Sequence, residues 1–421
     1  MRNRRNTRKR NNVIKILANK NFIIIICILI SIILLSIGLI EYRRYQDKLV
    51  LANQKRELEQ QKENIFSSLD ETIENINNTE TDRVASISAV GDILCGEDML
   101  KDANNIDGYD FSNMFKEVVK YTQKSDISIG TLETNIVNNK YSGIGKYNSP
   151  TEFLKAIKES GIDIVSIAHN HELDYGVDGL NETIKKIQDE GLSVTGIKEN
   201  TENADQKFTG NIKEVNKIKI AFLSYTYGIN NETEISEEEK EYANIYNEEK
   251  VLYDIEYAKK KSNFIIVIMH WGEVNNSNVS NWQENVKNYL VENGVDMILG
   301  SHPSVIEPME IIQNSEGRNV LVAYSLGNYI SSFKYENADV ELILNIQIYK
   351  KAGEEKAILR KVDYTPIYVL DNGKNAENRF ELTDMKQLAI DYANGDTSRI
   401  DRKTYNKLIE KIEWLSNVVN K

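Results

Sequence analysis

Short apolar runs alternate with amphipathic stretches along the chain from Val84 onward. Runs rich in β-branched residues predict buried strands, and the amphipathic stretches between them predict helices, so the alternation is typical of an α/β domain. Two further runs, Val340–Ile348 and Ala357–Tyr364, predict adjacent antiparallel strands, and Leu382–Lys421 predicts helix. The other predicted strands are Ala85–Val90, Ile127–Leu132, Ile164–Ala168, Ile218–Ser224, Phe264–Met269, Met297–Leu299 and Val320–Tyr324, and the main helix candidates are Glu152–Ser160, Gly179–Glu190 and Trp282–Asn293.

One apolar run has the length of a membrane span. Phe22–Ile40 contains 19 residues without a charge, and as a helix it would extend roughly 28 Å, close to the hydrocarbon thickness of a bilayer. The preceding residues, Met1–Asn21, carry eight lysines or arginines and no acid, which favours a cytoplasmic N-terminus. A cleavable signal peptide is the alternative, but the run ends without an Ala-x-Ala-like site. We therefore predict an uncleaved single-pass anchor with the main domain extracellular.

These patterns divide the chain into five predicted segments. The first three are a basic cytoplasmic tail, a transmembrane helix and a polar helical stalk. An α/β domain follows, and a helical extension ends the chain. The corresponding ranges are 1–21, 22–40, 41–83, 84–365 and 366–421.

The charge of the predicted outer part limits its partners. Beyond the basic tail the chain has 44 basic and 64 acidic residues, a net charge of −20. Such a surface repels phosphates, so nucleic acid is excluded as a partner. It also repels other polyanions, so binding an anionic polymer would require a local cleft of different charge or a bound metal ion.

Histidines occur only four times in the chain, as His169, His171, His270 and His302. Each follows an apolar run that predicts a strand, and the carboxylates Asp92 and Glu133 occupy the same kind of position. Open α/β sheets place ligand sites at the carboxyl ends of their strands. We therefore expect these six side chains to converge. A mixed set of imidazole and carboxylate ligands suits Zn, Mn or Fe better than Ca or Mg.

The order of the blocks around these residues resembles the CapA poly-γ-glutamate capsule biosynthesis family from about Ser86 to Ser331. The most specific blocks are Asn170–Gly176 and Tyr324–Asn328, and the others contain Gly-Asp, Leu-Glu-Thr, His-Trp-Gly-Glu and Ser-His-Pro. That family is similar in fold to the calcineurin-like metallophosphoesterases. The resemblance implies a two-sheet α/β/β/α sandwich of that type, which the predicted transmembrane helix would precede.

The metallophosphoesterase pattern implies a metal set of Glu133, Asn170, His270 and His302, with Asp92 at the start of the site. His171 would act as general acid, and Asp174 would orient His171 or cap the following turn. Two histidines of the pattern are missing, because Leu94 and Ser304 occupy their positions. Since the missing pair serves one metal and the retained set the other, the resemblance implies one divalent metal ion.

Three further residues have open roles. His169 stands where the family usually has Asn, and it is a candidate substrate-binding residue, with a substitute ligand, a residue that supports the ligands, or a structural role as the alternatives. Ser325 and Asn328 are candidate substrate-binding residues, with a plain strand-to-loop turn as the alternative.

The resemblance implies a role in making or exporting an anionic capsule polymer, poly-γ-glutamate in the first place, beside other membrane synthase components. Two forms of chemistry stay open. The protein is either a hydrolase or transferase that uses a metal against an amide or phosphoester, or a non-catalytic scaffold.

Overall fold

A computed structural model describes residues 23–31, 60, 83–197, 207–374 and 376–419. By their internal contacts the residues divide into two units, Met1–Asn64 and Ile65–Lys421. In the first unit, residues 23–31 form a helix with exposed side chains. No helix within the described ranges combines the length and apolar character needed to cross a membrane. The basic tail, the rest of the apolar run and nearly all of the predicted stalk lie outside the described residues.

The second unit has a mixed α/β fold, as predicted. Its strands are β1 Arg83–Ile93, β2 Asn104–Asn105, β3 Gly108–Tyr109, β4 Ile127–Leu132, β5 Ile164–Ser166, β6 Ser193–Thr195, β7 Asn211–Val215, β8 Ile218–Thr226, β9 Phe264–His270, β10 Met297–Ser301, β11 Met309–Gln313, β12 Asn319–Ala323, β13 Asn328–Ile330, β14 Val340–Lys350, β15 Ile358–Asp371 and β16 Phe380–Asp384. Its α-helices are α1 Glu97–Ala103, α2 Ser112–Phe115, α3 Val119–Thr122, α4 Thr151–Glu159, α5 Gly176–Asp189, α6 Glu237–Lys240, α7 Glu248–Lys261, α8 Asn281–Glu292, α9 Met385–Ala393 and α10 Arg402–Val419.

Most of these strands form two large sheets. The first sheet has the order β16–β15–β14–β1–β4–β5–β6, and β13 pairs with the end of β1. The second sheet has the order β11–β12–β10–β9–β8–β7. In the first sheet β1, β4, β5 and β6 run parallel, as do β8, β9, β10 and β12 in the second. Antiparallel strands lie at the edges, including the predicted neighbours β14 and β15.

Apolar side chains pack helices onto the outer face of each sheet. On the first sheet, Phe153 of α4 and Leu180 of α5 share a buried cluster with Val165 of β5. On the second sheet, Ile255 of α7 and Leu290 of α8 pack with other strand residues in a separate cluster. The strands between are buried on both sides, which explains their continuous apolar runs. Every residue of β9 is buried.

Hydrogen bonds join the two sheets across their inner faces. The Ser301 hydroxyl of β10 donates to the Thr131 hydroxyl of β4 over 3.2 Å. The Thr195 hydroxyl of β6 donates to the Phe222 carbonyl of β8 over 2.6 Å. The sheets therefore lie face to face, with helices outside both.

The C-terminal region differs from the helical extension predicted for 366–421. Strand β15 continues to Asp371, and β16 pairs with it before α9 and α10 begin. The short apolar segments around Val369 and Leu382 are buried in the first sheet. Runs of this length fit a strand or a helix equally well by periodicity, so the pattern alone did not separate them.

Two glycines allow β1 to approach the turn before β13. The Asp92 backbone N–H donates to the Gly327 carbonyl over 3.0 Å. A Cβ added at Gly91 would lie 1.9 Å from that same carbonyl oxygen. Gly327 itself has φ +84°, a conformation that other residues rarely adopt. The Gly-Asp and Tyr-Ser-Leu-Gly-Asn blocks are thus parts of one backbone contact.

We predict that Gly91→Ala destabilises the fold by about 1–3 kcal/mol, because backbone has to move to admit the new methyl group. Denaturant unfolding of the full-length chain measures this. Gly228→Ala is the matched control, since an added Cβ there meets nothing within 4 Å. Equal stability of the two variants would contradict the close approach.

Candidate metal centre

The carboxyl ends of parallel strands from both sheets meet at one edge of the sandwich. Asp92 lies near the end of β1, Glu133 directly follows β4, and the segment 169–171 follows β5. From the second sheet, His270 is the last residue of β9, and His302 directly follows β10. The expectation that strand-end histidines and carboxylates share one region thus agrees with the structure.

Three of these side chains form a compact group of possible ligands. Glu133, His270 and His302 each offer one atom, and the three atoms lie within 4.8 Å of one another. All three residues are buried. One carboxylate and two imidazoles are a donor set that proteins use for zinc and related transition metals.

Asp92 and Asn170 border this group. Asp92 Oδ1 lies 3.4 Å from His270 Nδ1, and Asp92 Oδ2 accepts from the His302 backbone N–H over 2.6 Å. Asn170 Oδ1 is 2.8 Å from His270 Nε2. All five residues that the resemblance assigned to metal binding are therefore in one place, although their roles as ligands stay a prediction.

Several buried polar atoms of this group have no hydrogen-bond partner. They are Asp92 Oδ1, Glu133 Oε2 and His302 Nδ1. Buried polar groups are almost always paired, because leaving one unpaired costs about 1–3 kcal/mol. Acceptor atoms left open on carboxylates and imidazoles are the kind that a cation satisfies, so these residues fit a metal ion.

The electrostatics of the group lead to the same conclusion. Burial, followed by the negative charges of Asp92 and Asp174, raises the pKa of Glu133 well above that of an ordinary glutamate. Burial, followed by the neighbouring His270 and His171, lowers the pKa of His302 well below its usual value. A cation between them would favour both the ionised carboxylate and the neutral imidazole.

A histidine–aspartate pair lies beside the possible ligands. His171 Nδ1 is 2.7 Å from Asp174 Oδ2, in the first turn that follows β5. An ionised Asp174 accepts hydrogen bonds only, so in this contact His171 Nδ1 would be the donor. Asn230 Nδ2 lies 3.2 Å from His171 Nε2, and Asn230 Oδ1 accepts from Asn170 Nδ2 over 3.1 Å. Asn230 therefore connects the pair to the possible ligands.

His169 contacts its own loop. Its Nδ1 accepts from the His171 backbone N–H over 3.1 Å, and its ring centroid lies 6.2 Å from that of His270. Burial, followed by His270 and His171, lowers the pKa of His169 well below the usual value. The contact to the loop backbone fits the supporting or structural alternatives.

Ser325 and Asn328 bond to neighbouring loops. The Ser325 hydroxyl donates to the Val305 carbonyl over 2.7 Å, and Asn328 Nδ2 donates to the Ser304 carbonyl over 3.2 Å. These bonds agree with the turn alternative. Asn328 also pairs in register with Asp92, and its buried Oδ1 has no partner. Substrate binding by either residue remains a prediction.

Sequence reasoning missed three residues of this site. The Tyr147 ring centroid lies 4.2 Å from that of His171, and the Tyr227 centroid lies 4.8 Å from that of His302. Tyr227 directly follows β8, so the rule that found the histidines could have found it. Tyr147 and Asn230 lie in loops without a local motif, and no signal in the sequence pointed to them.

The fold and the site together define an α/β sandwich protein with a cluster of possible metal ligands at one edge. Residues 86–332 match the family model described as bacterial capsule synthesis protein PGA_cap. This match covers more than half of the chain, and the chain belongs to that family.

Two relatives in sequence carry capsule-related names. The chain is 29% identical over 255 residues to the capsule biosynthesis protein CapA of Bacillus anthracis, covering 58% of this chain and 59% of that protein. It is 27% identical over 256 residues to the PGA biosynthesis protein CapA of Bacillus subtilis (strain 168), covering 60% and 64%. The chain thus spans about three fifths of the length of these relatives.

Solved structures with a similar arrangement include nucleotidases. NAD nucleotidase from Haemophilus influenzae matches with a TM-score of 0.42 and 14% identity, covering 80% of this chain and 61% of that one. The 5'-nucleotidase precursor from Thermus thermophilus matches with a TM-score of 0.43 and 12% identity, covering 79% and 59%.

We predict that Glu133→Gln leaves the chelator-treated protein at least as stable as the wild type, with a gain of up to about 2 kcal/mol. The substitution keeps the shape of the side chain and removes one of two neighbouring buried negative charges. Denaturant unfolding in the presence of EDTA measures the effect. A clear loss of stability would show that the carboxylate supports the fold without a cation. Asp92→Asn provides a comparison at the other carboxylate.

Proposed function

We propose that this chain binds one divalent transition metal ion and acts with it on an anionic capsule polymer, poly-γ-glutamate in the first place. The observation that carries the proposal is the group of partnerless atoms on Asp92, Glu133 and His302. Membership of the capsule synthesis family supports the biological setting. The names of the two CapA relatives support the choice of polymer.

Glu133, His270 and His302 would hold the ion, with Asp92 and Asn170 beside them. This mixed set favours Mn, Zn or Fe. When bound, such an ion supplies a Lewis acid for a carbonyl oxygen and lowers the pKa of bound water. The positions where the phosphoesterase pattern has two more histidines hold Leu94 and Ser304, which supports a single ion.

His171 and Asp174 support a catalytic form of this function, a hydrolase or transferase acting on an amide or phosphoester. Asp174 holds the His171 ring in one tautomer, as an orienting carboxylate does in other enzymes. Tyr147 packs against the same ring. In its imidazolium form, with the Nδ1 proton held by Asp174, His171 would donate its Nε2 proton to a leaving group or a substrate oxygen, which is the general-acid role implied by the resemblance.

The setting proposed for this chemistry is the outer face of the cell membrane. The apolar run 22–40 and the basic residues before it support a single-pass anchor. The main domain would then meet the polymer outside the cell, together with other membrane synthase components. Two facing sheets with helices on both outer faces support the metallophosphoesterase type of sandwich.

We predict that the purified full-length chain contains about one equivalent of a transition metal, and that the His270→Ala/His302→Ala double variant contains none. Elemental analysis measures both. Adding the metal to chelated wild-type protein should also stabilise it, by about 2.7 kcal/mol at a metal concentration one hundred times the Kd.

His171→Ala is the matched control for metal binding, because His171 is not among the three grouped ligands. It should retain the metal. If the wild type binds no metal even after loading with Mn, Zn or Fe, the catalytic proposal fails and the scaffold alternative gains support.

We predict that Asp174→Asn retains the metal but lowers the rate of metal-dependent cleavage of γ-glutamyl polymer by about 10²- to 10⁴-fold, the range that general acid–base groups contribute. The amide would no longer fix the His171 tautomer. Product analysis by gel filtration measures the rate, and elemental analysis checks the metal. Unchanged cleavage by Asp174→Asn would remove His171 and Asp174 from the mechanism.

A further inference from the structure

A cavity of about 750 Å³ opens beside the first sheet. It is enclosed by the segment that follows β13, the ends of β15 and β16, and one face of α10. This volume lies within the range of ordinary ligand-binding pockets, about 300–1,000 Å³. The side chains that matter for the argument are Lys334, Tyr335, Lys407, Lys411 and Trp414.

Helix α10 presents a distinct face to this cavity. Thr404, Lys407, Lys411 and Trp414 line it, and their spacing of three or four residues places them along one side of the helix. The adjacent side of the helix is buried in the core. The core side is formed by Tyr405, Leu408, Ile412 and Leu415. Lys407, Lys411 and Trp414 thus line the cavity beside the core side of the helix.

The charge of the cavity differs from that of the whole chain. Five basic and four acidic side chains line it, a net charge of +1, whereas the chain carries −12. Two of the acids are neutralised locally, because Lys411 pairs with Asp339 over 2.6 Å and Lys334 pairs with Asp371 over 3.1 Å. Lys407 is exposed and has no carboxylate within 4.0 Å among the described residues. Lys407 is therefore available to an anionic ligand.

The cavity adjoins the candidate metal centre. Ser331, which lines the cavity, accepts from Asn328 Nδ2 over 3.1 Å, and Asn328 pairs in register with Asp92. A buried hydrogen bond and this strand pairing therefore link the wall of the cavity to the strand that carries Asp92.

We propose that this cavity is a binding subsite for a segment of a carboxylate-bearing polymer, the same class of substrate named in the proposed function, on which this inference rests. Carboxylates of the polymer pair with Lys407, and its aliphatic segments pack on Trp414 and Tyr335. The acids Glu336 and Glu410 also line the cavity. They limit the strength of the attraction for a polyanion.

The test is a calorimetric titration of the full-length chain with γ-linked octaglutamate. Lys407→Glu should weaken binding at least about tenfold, because the new charge repels a bound carboxylate. Lys260→Glu is the matched control, an exposed helical lysine of α7 with the same change of charge. It should bind like the wild type.

Octaglutamate should also change the tryptophan fluorescence of the wild type, and Trp414→Phe should lose that change.

Each other outcome has a definite meaning. If Lys407→Glu and Lys260→Glu weaken binding equally, the attraction is non-specific and the subsite is refuted. If only His270→Ala/His302→Ala loses binding, the polymer binds at the metal centre alone, which overturns the subsite and leaves the proposed function intact. If wild-type protein with bound metal binds no octaglutamate, the subsite fails, while the metal content still tests the proposed function by itself.

Discussion

The hydrogen bond from the Asp92 N–H to the Gly327 carbonyl is the contact on which the candidate site depends. It joins the end of β1 to the turn before β13, and it forms only because Gly91 has no side chain to obstruct it. The contact sets the position of Asp92. Its carboxylate accepts a hydrogen bond from the His302 backbone N–H. Glu341, which is also buried, accepts a hydrogen bond from the Gly91 backbone N–H over 3.0 Å. The backbone around Asp92 is thus fixed from two sides.

That arrangement buries more acidic side chains than the protein can satisfy with its own donors. Asp92, Glu133 and Glu341 each keep one oxygen without a hydrogen-bond partner. Burial is the largest cause that raises the pKa of Glu133 and of Glu341. Proteins keep such unfavourable groups mainly at functional sites, where a ligand compensates for them. The partnerless oxygens of Glu133 and Asp92 are therefore consistent with the proposed cation beside them.

Local patterns in the sequence predicted some parts of the fold and of the candidate site, and did not predict others. Strand ends could be read because buried parallel strands give continuous apolar runs, and this placed Glu133, His270 and His302 at one edge. The position of Asn230 could not be read, because a loop distant in sequence brings it to His171. The segment from Pro366 to Asp384 was assigned to a helical extension because short apolar runs fit both kinds of element. The end of β15 and all of β16 form an antiparallel hairpin in this segment.

The two missing histidines bear on the choice between a metal protein and a scaffold. Leu94 is fully buried, and its N–H donates to the Ile330 carbonyl, so an apolar side chain fills one position. Ser304 fills the other with φ +61°, its hydroxyl 3.4 Å from the His302 carbonyl. In the phosphoesterase pattern, the histidines at both of these positions serve the same metal ion. General decay of a site would remove ligands of both metal ions, whereas here the grouped ligands and the His171–Asp174 pair all remain. The retained residues are therefore compatible with the proposed single metal ion, whose binding stays a prediction.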